Sequence, residues 1–201
     1  MEFGEVIRKR RMVRAFSSDP VDPGVAERLV TAANRAPSAG FSQGYALLVL
    51  SQPDQLRPFW ELLTSDERPS GAPDFDPVTN APLVIVPMSC KDIYLDRYAQ
   101  QDKGWTDRDE SRWPVPYWDI DTGFMALLML LAAVDEGLGA LFFGIPPVHI
   151  PRMRAEFGVP EAYLPIGAVA VGHPDPERDK GGSSRVIKRR RLDELVHYGR
   201  W

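Results

Sequence analysis

The chain has 201 residues, 44% of them hydrophobic and 26% charged, which is the make-up of a folded globular protein and excludes a disordered one. Twenty-four Lys and Arg against 28 Asp and Glu leave a net charge of −4, the wrong sign for a dedicated nucleic-acid binder. A single cysteine excludes an internal disulfide and a multi-cysteine metal site, and points to a reducing compartment.

The N-terminal residues Met1 to Glu5 are polar, and Arg8, Lys9, Arg10 and Arg11 lead into no apolar core, so no secretory signal is expected. Residues 2–11 read as a helix. Asp22 and Pro23 read as an N-cap followed by proline at the first helical position. They open a helix to about Arg35 in which Val25, Leu29, Val30 and Ala33 recur near the helical period. Residues 45–50 form an apolar run with the length of a buried strand. A short helix is expected at 56–63, a Pro-, Asp- and Gly-rich loop at 69–82, a second strand at 83–88 and a helix at 92–101.

Three of the five tryptophans fall within 104–118, among charges and prolines. The helix that follows, 119–137, is apolar nearly all round, so it is buried in a core or at a subunit interface. Its longest apolar run, 123–134, is shorter than the roughly 20 residues of a bilayer span, and a cytoplasmic location with no membrane partner is expected. Gly137 and Gly139 end it. Residues 140–145 and 166–171 read as the third and fourth strands, with a short helix at 149–157 between them. The tail, 181–201, is basic and then mildly amphipathic. This order predicts an α+β or α/β sandwich around one sheet. A single domain over 1–201 is expected, with 104–118 as an insertion.

Several chemistries are poorly supported. His149, His173 and His197 come without a Gly-x-Ser-x-Gly elbow, and no two histidines stand at metal-ligand spacing. No P-loop is present. Gly137-Leu138-Gly139 lacks the third glycine of a dinucleotide fingerprint, Phe142 standing in its place, and it follows a helix where that motif follows a strand. A helix C-cap is the plainer reading. Cys90 follows a strand with no histidine beside it, so an inert thiol is expected.

Three features carry chemistry. Arg8, Lys9, Arg10, Arg11 and Arg14 form one basic cluster, and Arg185, Lys188, Arg189, Arg190 and Arg191 a second. Each is either a solvated face or, if the fold brings the two together, half of a site for an anion such as phosphate, which arginine binds bidentately. The run from Ala36 to Tyr45 is a small-residue loop: an ordinary helix-to-strand connection, or one whose backbone approaches a flat ligand with Ser and Gln as neutral donors. The stiff segment 104–118 offers Trp105, Trp113, Tyr117 and Trp118 either to cap an aromatic substrate or to pack on a partner subunit.

These residues carry a resemblance. Arg10-Arg11-Met12-Val13-Arg14-Ala15-Phe16 resembles the Arg-Arg-Ser-Val-Arg-x-Phe motif of the nitroreductase family of FMN-dependent oxidoreductases. Ala36-Pro37-Ser38 with Ser42-Gln43 is similar to that family's Ala-Pro-Ser-x-x-Asn-Ser-Gln-Pro-Trp loop. Asp121-Thr122-Gly123 and Glu136-Gly137-Leu138-Gly139 resemble the two ends of its central helix. Residues 165–174 resemble its strand ending in Gly-x-Pro, and Arg190 to His197 with Trp201 its C-terminal ending. Met12 stands where the family usually has Ser, Phe41 where it has Asn, and Gly44-Tyr45 where it has Pro-Trp.

The resemblance implies a four-stranded antiparallel sheet flanked by helices, with a further strand from the partner's C-terminus, and a homodimer with FMN at the interface. It implies that Arg10, Lys188 and Arg190 hold the FMN phosphate, with Arg11 and Met12 beside them. Arg14 then sits at the pyrimidine edge of the flavin, where a fixed cation favours the reduced form. Pro37, Ser38 and Ala39 come from the other subunit, Gln43 is a further cofactor contact, and backbone at Phe143 and Gly144 faces the flavin's N5 side. Phe41, Phe124, Trp105, Trp113, Tyr117 and Trp118 are the expected acceptor contacts. The activity implied is hydride transfer from NAD(P)H to an electron-poor acceptor, a nitroaromatic or a quinone, by a ping-pong cycle with no catalytic side chain and no metal. Within the same fold the alternatives are dehalogenation, flavin fragmentation or dehydrogenation of a metabolite, or flavin binding without turnover.

Overall fold

A computed structural model describes residues 1–64 and 76–201. Much of the loop expected over 69–82 lies outside the described residues. At the centre is an antiparallel sheet of β1 (Tyr45–Leu50), β2 (Leu83–Ser89), β5 (Ala168–Gly172) and β3 (Gly139–Phe143), in the order β1-β2-β5-β3. Sequence patterning missed a fifth strand, β4 (Leu164–Pro165), which pairs with the end of β2. Two residues ending in proline carry no periodicity to detect.

Alternation along β2 explains the layering. Val84, Val86 and Met88 face one core with Phe59, Trp60, Leu62, Leu63, Leu141 and Met153. Leu83 and Ile85 face the other, with Leu29, Met125, Met129, Ala133 and Val169. A strand sends successive side chains to opposite faces, so a central strand covered on both sides reads as continuous apolar sequence. Every residue of β2 is buried. The first face is covered by α3 (Pro53–Thr64) and α6 (Ile150–Phe157), which contact each other; on the second, α2 (Val25–Ala33) packs against α5 (Tyr117–Asp135).

Helix boundaries shift by a few residues from the sequence expectation. The first helix, α1 (Phe3–Lys9), stops before Arg10, and α2 begins after Gly24, whose N–H donates to the Asp22 carboxylate at 2.9 Å. The helix α3 starts three residues earlier than expected and runs through Pro58, which signals a break because it has no N–H to donate. The helix α4 (Lys91–Tyr98) begins one residue early. With 19 residues, α5 is long and apolar enough to cross a membrane by length and composition. Here it packs against α2, β2 and β3 and carries the buried Asp121 and Thr122. One stripe of it, Tyr117, Ile120, Phe124 and Leu127, stays 37–46% exposed.

Beyond α1 the chain runs beside β3. Met12 bridges Ala140, and the Val13 N–H donates to the Ala140 carbonyl at 3.0 Å. Val13, Ala15 and Phe16 are buried, which leaves Arg10, Arg11 and Arg14 on the outer side.

Candidate cofactor cleft and its supporting loop

The two basic clusters meet. Arg10, Arg11, Met12 and Arg14 line an open cleft of about 450 Å³ together with Arg185 and Arg189 and the Gly181–Gly182 backbone. Among the described residues none of these five arginines is ion-paired, whereas Arg28, Arg97, Arg108 and Arg112 elsewhere each hold a carboxylate. The one carboxylate lining the cleft, Asp179, is buried and accepts the Gly181 N–H at 2.8 Å. Five guanidinium groups facing one carboxylate repel one another unless an anion lies between them.

The glycines make this packing possible. A Cβ on Gly182 would stand 2.5 Å from the Arg14 guanidinium carbon, and one on Gly181 would stand 2.2 Å from Arg185 Nε. Gly181 also has φ +70°, a conformation that side chains disfavour. Arg14 donates to the Met12 carbonyl at 3.2 Å and Arg185 to the Asp179 carbonyl at 2.8 Å, so both heads are oriented by backbone and not by a carboxylate. Lys188 and Arg190 do not line the cleft. Arg190 instead donates to the Glu194 carbonyl at 2.7 Å and lies beside the Glu194 carboxylate at 3.7 Å.

The loop between α2 and β1 is tightly held. Gly40, Phe41 and Gln43 all have positive φ, at 61°, 54° and 53°. For the two side-chain-bearing residues this costs about 1–2 kcal/mol each, so the surroundings must over-determine the turn. They do. The buried Asp121 carboxylate accepts the Ala39 N–H at 2.8 Å and, on the same oxygen, the Tyr94 hydroxyl at 2.7 Å. Ser38 accepts the Gln43 N–H at 3.1 Å, Ser42 donates to the Ala39 carbonyl at 2.6 Å, and Arg97 donates to the Gly40 carbonyl at 3.0 Å. The Tyr98 ring lies under Gly40 and the Tyr94 ring under Gly44, each leaving no room for a Cβ. Burial first, then the bond to Asp121, holds the Tyr94 phenol well above its usual pKa. Burial, then the Asp121 charge, raises that of Tyr45 as well. The result presents Phe41, 74% exposed, at the tip of the loop.

Segment 104–118 packs on this assembly from behind. Trp113 meets Tyr98 at 4.5 Å and Trp105 at 5.6 Å between ring centroids, and also contacts Tyr94, Tyr117 and Trp118. Tyr98 therefore touches Gly40 with one part of its ring and the tryptophans with another. Trp105, Trp113 and Trp118 are engaged with Tyr94 and Tyr98 of α4, while Phe41, Phe124 and Tyr117 remain exposed. Phe143 turns its ring into the core against Trp60, stacked at 5.9 Å. The adjoining Gly144 is exposed, with nothing within 4 Å of where a Cβ would stand.

Sequence patterning did not identify Asp121, Tyr94, Arg97 and Tyr98 as the loop's support. Asp121 alone left a signal, as the buried carboxylate at the head of a largely apolar helix.

Comparison with known proteins agrees with this architecture. The nitroreductase family model matches residues 7–173. A protein of Archaeoglobus fulgidus with the provisional name NADH dehydrogenase/NAD(P)H nitroreductase is 26% identical over 177 residues, 87% of each chain. Iodotyrosine deiodinase 1 of Rattus norvegicus is 25% identical over 202 residues, covering 97% of this chain and 68% of its own. The crystal structure of a nitroreductase family protein from Clostridium difficile 630 superposes with a TM-score of 0.69 over 100% of both chains at 23% identity, a likeness of fold. With the family model spanning most of its length and the same fold in family structures, this chain belongs to the nitroreductase family of oxidoreductases.

Proposed function

We propose that the chain is an FMN-dependent oxidoreductase that passes hydride from NAD(P)H to an electron-poor acceptor, a nitroaromatic or a quinone, by a ping-pong cycle, acting as a cytoplasmic homodimer. The observation that carries this reading is the convergence of Arg10, Arg11, Arg14, Arg185 and Arg189, all without ion-pair partners among the described residues, on one cleft. A phosphate monoester fits that donor set, and the Gly181–Gly182 backbone lets the Arg185 and Arg14 side chains lie close against it at the edge of the cleft. The names of the relatives, an NAD(P)H nitroreductase and an NADPH-dependent oxidoreductase of Staphylococcus aureus, support the electron donor.

Arg10, Arg11, Arg185 and Arg189 would hold the phosphate. Arg14, fixed by the Met12 carbonyl and the Gly182 backbone, would supply a cation to the pyrimidine edge. The open backbone at Gly144 and the clamped loop around Ser38, Ala39 and Gln43 would border the ring. When bound, FMN supplies the two-electron hydride chemistry, so the protein need only bind, orient and exclude water. Phe41, Phe124 and Tyr117 would form the apolar contacts of the acceptor.

Two surfaces support the homodimer. One is the exposed stripe Tyr117, Ile120, Phe124 and Leu127 on α5; the other is the tail, where Val186, Leu192, Tyr198 and Trp201 are 77–98% exposed. Apolar exposure of that extent marks an interaction surface. The tail of a second copy would cover such a surface and bring Lys188 and Arg190 to a cofactor site.

Replacing Arg10 and Arg185 with alanine tests the assignment. Each removes charge-assisted hydrogen bonds of about 1.5–3 kcal/mol, so each weakens FMN binding about tenfold or more. A double variant that keeps wild-type FMN affinity refutes the phosphate assignment. The likeness to iodotyrosine deiodinase 1 over nearly the whole chain favours one second reading, reductive dehalogenation. Halide release from a halophenol, measured beside nitroaromatic reduction, separates the two.

A further inference from the structure

A second cleft, of about 400 Å³, lies at the end of the sheet where β2 finishes and shares no lining residue with the arginine cleft. Its size falls within the about 300–1,000 Å³ of small-molecule sites. Four elements meet there: Ser89 closes β2, Leu164 opens β4, Asp119 stands in the first turn of α5, and Arg154 projects from α6.

The charges in this cleft are matched in an unusual way. Lys91 and Glu110, both well exposed, neutralise each other at 2.7 Å. Asp119 is half-buried and accepts a hydrogen bond at 2.6 Å from the buried Ser89 hydroxyl, a neutral partner. Arg154, also half-buried, donates through one terminal nitrogen to the carbonyls of Glu161 and Tyr163 at 3.0 and 2.7 Å, again neutral partners. Its Nε is buried and has no hydrogen-bond partner. Among the described residues neither Asp119 nor Arg154 has an ion-pair partner, and they do not pair with each other.

One cleft is thus lined by a fixed anion and a fixed cation, both partly removed from water and both without a counter-ion. Partial burial of a lone charge is costly unless something pairs with it. A simple anion would meet repulsion from Asp119, and a simple cation would meet it from Arg154. A ligand with both an ammonium and a carboxylate satisfies both residues at once. The remaining wall, Trp118, Pro116 and Leu164, is apolar, and Leu164 is 45% exposed toward whatever fills the space.

We propose that this cleft is a binding site for a zwitterionic α-amino acid with an apolar or aromatic side chain. Asp119 takes the ammonium, Arg154 the carboxylate, and Leu164 with Pro116 the side chain. The site stands apart from the arginine cleft, and its occupancy does not depend on the flavin reading.

Isothermal titration of the full-length protein tests it, with L-phenylalanine as the probe beside 3-phenylpropionate and 2-phenylethylamine, which each lack one of the two charges. L-Phenylalanine is expected to bind saturably, and each analogue at least tenfold more weakly. Asp119→Asn keeps an acceptor for the Ser89 hydroxyl and removes the charge, so it should weaken L-phenylalanine at least tenfold and improve 3-phenylpropionate. Absence of saturable L-phenylalanine binding overturns the proposal. So does equal binding of the three compounds, or an Asp119→Asn variant with wild-type affinities for L-phenylalanine and 3-phenylpropionate.

Discussion

Replacing Asp121 with alanine is the sharpest test of how the loop is held. One oxygen of that buried carboxylate accepts both the Ala39 N–H and the Tyr94 hydroxyl, at 2.8 and 2.7 Å. Each hydrogen bond to a charged acceptor contributes about 1.5–3 kcal/mol, so two lost bonds amount to about 3–6 kcal/mol before compensation. Removing the carboxylate also relieves its desolvation, which returns part of that sum. The net expectation is a loss of about 2–4 kcal/mol. Asp121→Asn keeps an oxygen that accepts from both donors, and should cost about 1 kcal/mol. Urea unfolding with an unchanged m-value measures the global effect, and amide exchange at residues 40–43 measures the local one. The alanine variant should speed exchange in the loop beyond its global destabilisation, because two left-handed residues lose their restraint. An alanine variant within about 0.5 kcal/mol of the parent, with unchanged loop exchange, refutes the clamp.

Other consequences follow from the same assembly. Gly44→Ala would place a Cβ 2.5 Å from the Tyr94 ring and 2.7 Å from the Cys90 carbonyl, and should lower stability by about 1–3 kcal/mol, read as a fall in the urea midpoint. The raised pKa of Tyr94 means that the folded state keeps its phenolic proton when the unfolded state has lost it. The unfolded chain then binds fewer protons, and stability falls as pH rises above about 10. Tyr94→Phe should make that alkaline fall shallower, and an unchanged slope in urea midpoints between pH 9 and 11 would count against the burial argument.

Much of the fold was legible because its signals are local. The run 45–50 is a strand at the bounds that its apolar composition indicates, and α5 follows from a composition too apolar for any surface helix. The two-residue β4 was not, since it exists only through its pairing with β2, and the early start of α3 rests on a local signal the apolar pattern does not show, Pro53 at the first helical position with the Gln55 side chain accepting the Ser51 and Gln52 N–H groups at 3.0 and 3.1 Å. The cleft was legible in part, as two basic clusters that form one site if the fold brings them together, which it does. Its membership was not: Arg185 and Arg189 line the cleft while Arg190 turns to Glu194, in a stretch with no helical or strand period to say which side faces the protein. The clamp beneath the loop joins residues 39, 94 and 121, and such long-range polar pairing leaves almost no trace in sequence.

The central claim is that the converging arginines hold a redox-active flavin mononucleotide. The most direct measurement is the visible spectrum of the purified protein before and after anaerobic NADPH, with the released cofactor identified by mass. Flavin absorbance that bleaches on reduction, with FMN as the released species, is the predicted result. A colourless protein that also fails to bind added FMN would contradict the claim and leave the five arginines in need of another anion.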